Sequence, residues 1–270
     1  MGFDILGVRV DNLSTDQVSA NFRRWLGGFE QKMVVTPNPE FILAAGQDED
    51  FRQILNDAHL SLPDGIGLRY AVSALHGDQL EHRQTGVDTL KQLAQLCAET
   101  GSRLMLLGGR RGSAGRAAQA LRISLPNLDV IPVEPGEIVS HHGDPVLSGT
   151  LVQKLRQFEP VVLAVGLGQI KQEKFLAKYL PEFPSVKIAI GVGGAFDMLA
   201  GDRQRAPRVL QSMGLEWLWR LLIEPKRWFR IWQAVIIFPL VIAWYTMHRR
   251  HFLRSCARVL PAVIKQLSRR

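Results

Sequence analysis

The sequence has little cysteine and no cysteine cluster. Its 270 residues include only two cysteines, Cys97 and Cys256, which lie far apart. Neither belongs to a Cys-x-x-Cys motif or to a group of cysteine and histidine residues, so a disulfide framework and a structural zinc site are both disfavoured. So few thiols fit a reducing compartment. The first ten residues, MGFDILGVRV, also lack the basic segment and long apolar core of a secretory signal, so we expect the cytosol.

Negative charge is scarce in the C-terminal quarter. Residues 203–270 contain 14 Lys and Arg but only two acidic residues, which leaves 19 basic and 23 acidic residues in 1–202. The net charge of +8 therefore belongs to the tail. A basic segment of this kind usually binds a polyanion, either nucleic acid or an anionic membrane surface.

The same tail is rich in tryptophan but has no long uninterrupted apolar run. Five of the six tryptophans lie between Trp217 and Trp244, and the charge-free stretch 234–245 is about a dozen residues long. A helix needs about 20 apolar residues to cross a bilayer. The longer stretch 231–247 is borderline and contains Pro239, so we expect a helix that lies in the membrane interface or half-inserts. A single span is the alternative.

The first two hundred residues alternate between apolar β-type runs and amphipathic helical segments. Continuous apolar runs such as VVLAVG are typical of parallel strands covered on both faces. The pattern predicts a Rossmann-like, doubly wound α/β domain with a mostly parallel sheet. The predicted strands are 32–36, 60–63, 103–108, 129–133, 161–165 and 186–191. The predicted helices are 39–56, 87–100, 113–125, 145–157 and 171–180.

Polar side chains follow the first two predicted strands. Thr36 and Asn38 follow one strand, and Asp64 follows the next. Each of Thr36 and Asn38 precedes a proline, which favours an extended backbone and holds the strand end open. Asn38 could simply cap the next helix, and Asp64 could simply be a turn residue. In a doubly wound fold, however, ligands bind at the carboxyl ends of the strands, where a carboxylate can act as a general base.

Three glycine-rich segments follow later strands, at 108–112, 166–168 and 191–194. Glycine lets the backbone approach a ligand closely, and a helix N-terminus offers free N–H groups to a phosphate. Each segment alone could be a tight turn. Three such strand ends in one fold favour a ligand of the nucleotide type.

These segments resemble the ordered motifs of the WecG/TagA/CpsF glycosyltransferases. The early motifs are TPNPE (36–40), LPDG (62–65) and RQTGVD (83–88). The later motifs are GLGQIKQE (166–173), which is similar to the family's GLGxPKQE, then GVGGAFD (191–197), GLEWLWRLL (214–222) and EPKR (224–227). The motifs occur in order over about residues 3–232, and the segment after 232 lies outside the resemblance.

The resemblance implies an inverting hexosyltransferase at the cytoplasmic face of the cell membrane, held peripherally or half-inserted through its tail. The donor would be a UDP-sugar, classically UDP-N-acetylmannosamine. The acceptor would be a polyprenyl-diphosphate-linked saccharide in cell-surface polysaccharide or teichoic-acid-type synthesis. UDP-glucose or UDP-ManNAc-uronate in exopolysaccharide assembly is an alternative. No cofactor is implied, and a homo-oligomer is left open.

The resemblance also implies roles for individual residues. Asp64 would be the general base that deprotonates the acceptor hydroxyl, with Thr36 and Asn38 beside it and Gln172 in contact with the substrate. Three arginines would belong to an appendage that closes over the site and stabilises the leaving diphosphate: Arg220, Arg227 and Arg230. The other substrate-binding candidates are Arg83, Gly86, Asp88, Gly108, Gly109, Gly166, Gly193 and Gly194. The implied domains are a catalytic domain over 1–206, the appendage over 207–232 and a membrane-associating extension over 233–270.

Two acidic or histidine-rich segments fall outside this set. Asp48-Glu49-Asp50 matches the DxD motif of metal-dependent glycosyltransferases only superficially, because it lies within a helical pattern and is better explained as a solvated helix face. His141-His142-Gly143-Asp144 has no spaced partner. We therefore assign no metal, and the family is not known to need one.

The chain departs from the family pattern at two places. Ile170 replaces the usual proline before Lys-Gln-Glu, so the turn that places Gln172 is expected to differ. Around Gly136, where relatives often carry Gly-Tyr-Phe, the aromatic residue is missing, which puts a ring or sugar contact and the donor's identity in doubt.

Two other classes of function are open from the sequence alone. The basic tail could bind nucleic acid, but its Trp and Leu density and the run AVIIFPLVIAW favour lipid, so we expect no nucleic-acid partner. A catalytically silent scaffold of the same fold is the other alternative, and the presence of Asp64, Thr36 and Asn38 argues against it.

Overall fold

The computed structural model describes residues 2–110, 112–134, 138–141, 144–202, 206–207, 209–210, 213, 215–225, 228–248 and 252–267. The strands are β1 Gly2–Ile5, β2 Val8–Asp11, β3 Lys32–Val35, β4 Leu60–Ser61, β5 Leu104–Gly108, β6 Val130–Val133, β7 Ile138–His141, β8 Asp144–Leu147, β9 Val162–Gly166 and β10 Ile188–Gly191. Between and after these strands in the chain lie the helices α1 Thr15–Leu26, α2 Pro39–Ala45, α3 Glu49–Asp57, α4 Ile66–His76, α5 Gly86–Thr100, α6 Ser113–Ser124, α7 Gly149–Phe158, α8 Lys171–Tyr179 and α9 Ala195–Leu199. Beyond them lie α10 Glu216–Ile223, a long helix Trp228–His248 (the tail helix) and a last helix Phe252–Leu267 (the terminal helix).

A six-stranded, all-parallel sheet forms the centre of the protein, with strand order β4-β3-β10-β9-β5-β6. All six strands predicted from the sequence lie in this sheet, so the α/β fold is confirmed. Side chains alternate between its two faces: along β9, Leu163 and Val165 belong to one buried cluster, and Val162 and Ala164 belong to the other. Because helices cover both faces of the sheet, the sequences of these strands are continuous apolar runs.

Different helices cover the two faces of the sheet. One face packs against α2, α3, α4, α7 and α8 together with the β1–β2 hairpin, and the opposite face packs against α1, α5, α6 and α9. The sequence reading missed the N-terminal hairpin and α1. Ser14 and Gln17 form a capping box at the start of α1, with Gln17 N donating to Ser14 Oγ over 3.2 Å, so the Ser-x-x-Gln spacing was the available signal.

The prediction of one helix over 39–56 is wrong, because α2 ends at Ala45 and α3 begins at Glu49. Asp48 caps the second helix by accepting a hydrogen bond from Phe51 N at 2.9 Å, and its other carboxylate oxygen lies 2.7 Å from Lys174 Nζ. Aspartate competes for backbone N–H groups and so favours a helix start over a helix interior. The first residue of the acidic triplet is thus a cap and an ion-pair partner, which corrects its assignment to a helix face.

The predicted helix over 145–157 also begins too early. Residues Asp144–Leu147 form β8, which pairs antiparallel with β7, and α7 starts only at Gly149. Ser148 caps α7 by accepting from Leu151 N at 3.2 Å. Helix α4 was not predicted at all. The missing aromatic position near Gly136 and residues 142–143 lie outside the described residues.

The tail helix is long and apolar enough, by length and composition, to cross a membrane. One of its faces packs on α4 and α2 instead, where Phe238, Ile242 and Thr246 are buried at intervals of four residues. The helix tolerates Pro239 because the preceding segment, Gln233–Ile237, widens into a π-helical turn, in which Phe238 N donates to Gln233 O. The terminal helix also packs on α4, with Ser255 Oγ donating to Ala74 O over 2.8 Å.

Candidate active site

A cavity of about 340 Å³ opens at the carboxyl ends of the parallel strands. Its wall includes the residues after β3, β4, β9 and β10, which is where an α/β sheet of this kind binds ligands. The predicted site residues that line it are Thr36, Asn38, Asp64, Gly86, Gly109, Gly166, Gln172, Gly193, Gly194 and Arg230. The structure thus brings together residues that are up to about two hundred positions apart in the chain.

Asp64 is held against the neighbouring strand end. Its backbone N–H donates to Pro37 O over 2.8 Å, and Gly65 turns the chain away with a φ of 104°, a conformation that favours glycine. The carboxylate is partly exposed to the cavity, and Arg83 Nη2 lies 3.6 Å from its Oδ1. A carboxylate at this position can approach a substrate hydroxyl in the cavity, and the guanidinium compensates its charge.

Thr36 and Asn38 contribute polar groups from the end of β3. The buried Thr36 hydroxyl donates to Gly191 O over 3.3 Å and so joins β3 to the end of β10. Asn38 Oδ1 accepts from Glu40 N at 2.9 Å and from Phe41 N at 3.1 Å, which confirms its role as the cap of α2. The cap uses the side-chain oxygen, and the same side chain also lines the cavity. The two interpretations of Asn38 are therefore compatible.

Gln172 is oriented by a buried hydrogen-bond network. Its Nε2 donates to Glu173 Oε1 over 2.7 Å, and its Oε1 accepts from Gly193 N at 3.0 Å. Glu173 Oε2 also accepts from Ile170 N at 2.8 Å. Burial raises the pKa of the Glu173 carboxyl to about 7, against the opposing effect of the hydrogen bonds that it accepts.

Ile170 has a φ of 70°, in the left-handed region. A β-branched residue is rarely found there. A proline at position 170, with φ near −65°, could not adopt this φ, and the difference from the family's turn stays a prediction. The hydrogen bond between Ile170 N and Glu173 helps to hold this conformation.

Gly166 allows β9 to end close to other backbone segments. A Cβ atom at this position would lie 2.9 Å from the Phe196 ring and 3.0 Å from Gly193 O. No larger residue fits without moving the 193–196 segment, because real Cβ contacts are longer than this. Gly166 thus lets the end of β9 pack closely against the 193–196 segment at the cavity wall.

Two guanidinium groups in the described part of the chain line the cavity wall. Arg110, which is largely exposed, has its Nε 3.5 Å from Oδ2 of the buried Asp197. Arg230, on the tail helix, donates from Nε to Glu40 Oε2 and from Nη2 to Gln169 Oε1, each over 2.6 Å. Of the other predicted appendage arginines, Arg220 is described only in its backbone and Arg227 lies outside the described residues.

Three predicted site residues do not line the cavity. Arg83 is absent from the wall but contacts Asp64, which lines it. Asp88 accepts a hydrogen bond of 2.6 Å from Thr85 Oγ1 in the first turn of α5, and Gly108 lies behind the wall. Conversely, sequence reasoning missed cavity residues that lie within its own motifs: Thr85, Arg110, Gln169 and Asp197. Within the described residues, no group of three or more His, Cys, Asp or Glu side chains is arranged to hold a metal ion.

Comparisons with known proteins match nearly the whole chain. The model of the glycosyl transferase WecG/TagA/CpsF family matches residues 3–252. The similarity therefore extends 20 residues beyond position 232, and the expectation that it ends there is wrong for residues 233–252. The N-acetylglucosaminyldiphosphoundecaprenol N-acetyl-beta-D-mannosaminyltransferase of Bacillus subtilis (strain 168) is 32% identical over 200 residues, or 74% of each chain. A protein of the same name from Staphylococcus aureus (strain MRSA252) is 31% identical over 244 residues, which cover 89% of this chain and 91% of the relative.

Proposed function

Because the chain belongs to the WecG/TagA/CpsF family and is therefore a glycosyltransferase, we propose that it transfers N-acetylmannosamine from a UDP-sugar to a polyprenyl-diphosphate-linked saccharide. The names of the relatives specify both the sugar and a GlcNAc-diphosphoundecaprenol acceptor. The observation that carries the proposal is the cavity at the strand ends, in which the Asp64 carboxylate stands beside Thr36, Asn38 and Gln172.

In the proposed reaction, Asp64 is the general base. The acceptor hydroxyl attacks the anomeric carbon of the donor sugar on the face opposite to UDP. A new carbon–oxygen bond forms, the bond to the diphosphate breaks, and the hydroxyl proton passes to Asp64. The partly exposed position of this carboxylate in the cavity suits such a role, since a base must come within hydrogen-bond reach of the hydroxyl.

The leaving UDP carries negative charge that the site must stabilise. Among the described residues, the cationic side chains at the cavity wall are those of Arg110 and Arg230. Guanidinium groups bind diphosphate oxygens in a fork geometry. The backbone N–H groups of the glycine-rich strand ends can add hydrogen bonds. We assign these two arginines to the diphosphate and place Arg220 and Arg227 in the same role only by the family resemblance.

The tail is proposed to hold the enzyme at the cytoplasmic face of the membrane. The outer face of the tail helix exposes Trp228, Phe229, Trp232, Leu240 and Trp244, each to half or more of its surface. An apolar patch of this kind marks an interaction surface, and tryptophan prefers the bilayer interface. Because the opposite face packs on α2 and α4, we propose that this helix lies in the interface and does not span the bilayer.

A transfer assay tests the proposal. The full-length chain is incubated with a panel of UDP-sugars and a lipid-diphosphate-GlcNAc analogue, and the product is identified by mass spectrometry. We expect transfer of one N-acetylmannosamine from UDP-N-acetylmannosamine. Preferred transfer from UDP-glucose or UDP-ManNAc-uronate would replace the proposed donor, and transfer from no UDP-sugar would overturn the reaction.

A further inference from the structure

A second cavity lies between the tail helix, the terminal helix and α4. Its volume is about 390 Å³, which is within the range of small-molecule sites, about 300–1,000 Å³. The tail helix contributes Phe238, Ile242 and Ala243, α4 contributes Ala71 and Ala74, and the terminal helix contributes Val259. We call this space the apolar groove.

Two hydroxyl groups at the wall of the apolar groove, those of Thr246 and Ser255, already have partners. Thr246 Oγ1 donates to Ala243 O over 2.9 Å, and Ser255 Oγ donates to Ala74 O over 2.8 Å. A polar ligand would lose hydrogen bonds to water in such a space without replacing them. Hydrocarbon, in contrast, gains free energy in proportion to the apolar surface that it buries. The chemistry of the wall therefore favours a hydrocarbon chain.

The apolar groove begins next to the active site. Gly67, at its wall, follows Asp64 by three residues, and a Cβ atom on Gly67 would lie 2.7 Å from Pro39 Cγ and 3.6 Å from the Phe238 ring. Along the tail helix, Arg230 at the active site and Phe238 at the groove are eight residues apart, or about 12 Å at 1.5 Å per residue. One helix thus runs from a cationic position in the site to an apolar position in the groove.

We infer that the apolar groove binds the first isoprene units of the acceptor's polyprenyl chain. The inference rests on the proposed function, in which the acceptor is an amphiphile with a sugar, a diphosphate and a long hydrocarbon chain. With its sugar hydroxyl at Asp64, the hydrocarbon must leave the site along an apolar route. The groove is such a route: its wall includes the exposed Leu260, and the tail helix beside it exposes Leu240 and Trp244. The chain therefore passes from the site to the membrane under cover of protein.

The test compares acceptor analogues of different chain length. GlcNAc-diphosphate analogues with a short alkyl group or with a chain of several isoprene units are assayed with the full-length enzyme. We expect the wild type to prefer the isoprenoid analogue in kcat/KM by roughly tenfold or more, since each buried CH₂ contributes about 0.8 kcal/mol. Ala243→Phe, which places a ring in the groove, should remove most of this preference. Ala257→Phe, on the exposed side of the terminal helix, is the matched control and should retain it.

Val263→Phe, also at the groove wall, repeats the test in case Ala243→Phe disturbs the helix packing. An undiminished preference in both groove variants would overturn the inference. If those variants lose binding to phosphatidylglycerol vesicles but keep the preference, the groove takes an acyl chain of the bilayer, which also overturns it.

A second readout separates the groove from the reaction. A diazirine placed on the isoprene unit nearest the diphosphate is photo-activated on the full-length protein, and the labelled peptides are sequenced. We expect labels within residues 67–74 or 238–263, which contain the groove wall, and labels elsewhere would contradict the groove. Labels at the groove without sugar transfer would support the groove and contradict the proposed reaction. Sugar transfer with labels elsewhere would support the reaction and contradict the groove.

Discussion

Arg230 Nε, on the tail helix, lies 2.6 Å from Glu40 Oε2 in the first turn of α2. The same guanidinium donates from Nη2 to Gln169 Oε1 over 2.6 Å. Both partners belong to segments that follow strands of the central sheet, and both stand near the cavity that holds Asp64. The Arg230 side chain thus joins the tail helix to the wall of the active site.

Replacing Arg230 separates its two roles. Arg230→Ala removes both the ion pair with Glu40 and the cation proposed for the diphosphate, so we expect kcat/KM to fall by about 10²-fold. Glu40→Gln removes only the charge of the ion-pair partner and should cost several-fold at most, because a partly exposed pair contributes little. Equal losses in the two variants would show that Arg230 acts only through Glu40. Steady-state kinetics on the lipid-linked acceptor measures both.

Asp64→Asn should abolish most of the turnover and leave the fold intact. The amide cannot accept the proton of the acceptor hydroxyl, so we expect kcat to fall by about 10²- to 10⁴-fold. Thermal unfolding should change little, because the backbone bond between Asp64 N and Pro37 O is retained. Asp50→Asn, in the exposed acidic triplet, is the matched control and should keep wild-type activity. A near-normal kcat for Asp64→Asn would remove this residue from the role of base.

Glu173 should make stability depend on pH. Its pKa is raised by burial to about 7 in the folded protein, so between its ordinary value of 4.5 and 7 the folded state binds the proton more tightly than the unfolded state. The free energy of unfolding therefore decreases as pH rises through this window, with a slope of up to about 1.4 kcal/mol per pH unit from this group. Below the window its stabilising contribution is complete, and above the window it is lost.

Urea unfolding between pH 5 and pH 8 measures this effect. Glu173→Gln cannot titrate, so the decrease in its free energy of unfolding across the window should be smaller than in the wild type. Glu182→Gln, which changes an exposed carboxylate in the same part of the chain, should retain the wild-type slope. Parallel curves for all three proteins would show that Glu173 does not titrate in this range.

The exposed tryptophans of the tail helix should determine membrane binding. Trp232→Ser with Trp244→Ser removes two large apolar side chains from the outer face, and we expect the partition coefficient onto phosphatidylglycerol vesicles to fall at least about tenfold. Phe29→Ser removes an even more exposed aromatic side chain from the α/β domain and should have no effect. Sedimentation with vesicles provides the measurement. Equal binding of the double variant and the wild type would place the membrane contact elsewhere.

Much of the fold could be predicted because the signals are local. Each strand of the parallel sheet is an apolar run, since helices bury both of its faces, and all six runs were found. The break between α2 and α3 was not predicted, because the spacing of apolar residues continues across it. Apolar residues on both sides of the break pack into the same core: Phe41, Ile42, Phe51 and Leu55. The hairpin β7–β8 and its junction with α7 were not predicted, because so short a polar segment shows no clear spacing of apolar residues.

For the site, the motifs identified most of the cavity wall but not how its members interact. Thr36, Asn38, Asp64 and Gln172 were named from their motifs and line one cavity. The contact between Arg110 and Asp197 joins residues that are far apart in the chain, and no spacing rule relates them. Asp88 likewise accepts a hydrogen bond from Thr85 instead of lining the cavity, because α5 begins at Gly86 and places Asp88 in its first turn.

By itself, the sequence determined the sheet, the order of the family motifs and the basic, tryptophan-rich character of the tail, because periodicity, turn chemistry and composition act over a few residues. Only the tertiary structure decided that Arg230 meets Glu40, that Glu173 is buried enough to hold a proton near neutral pH, and that the tail helix turns one face to the protein and encloses the apolar groove. Those features depend on distances between segments that are remote in the chain, and such distances are set by packing.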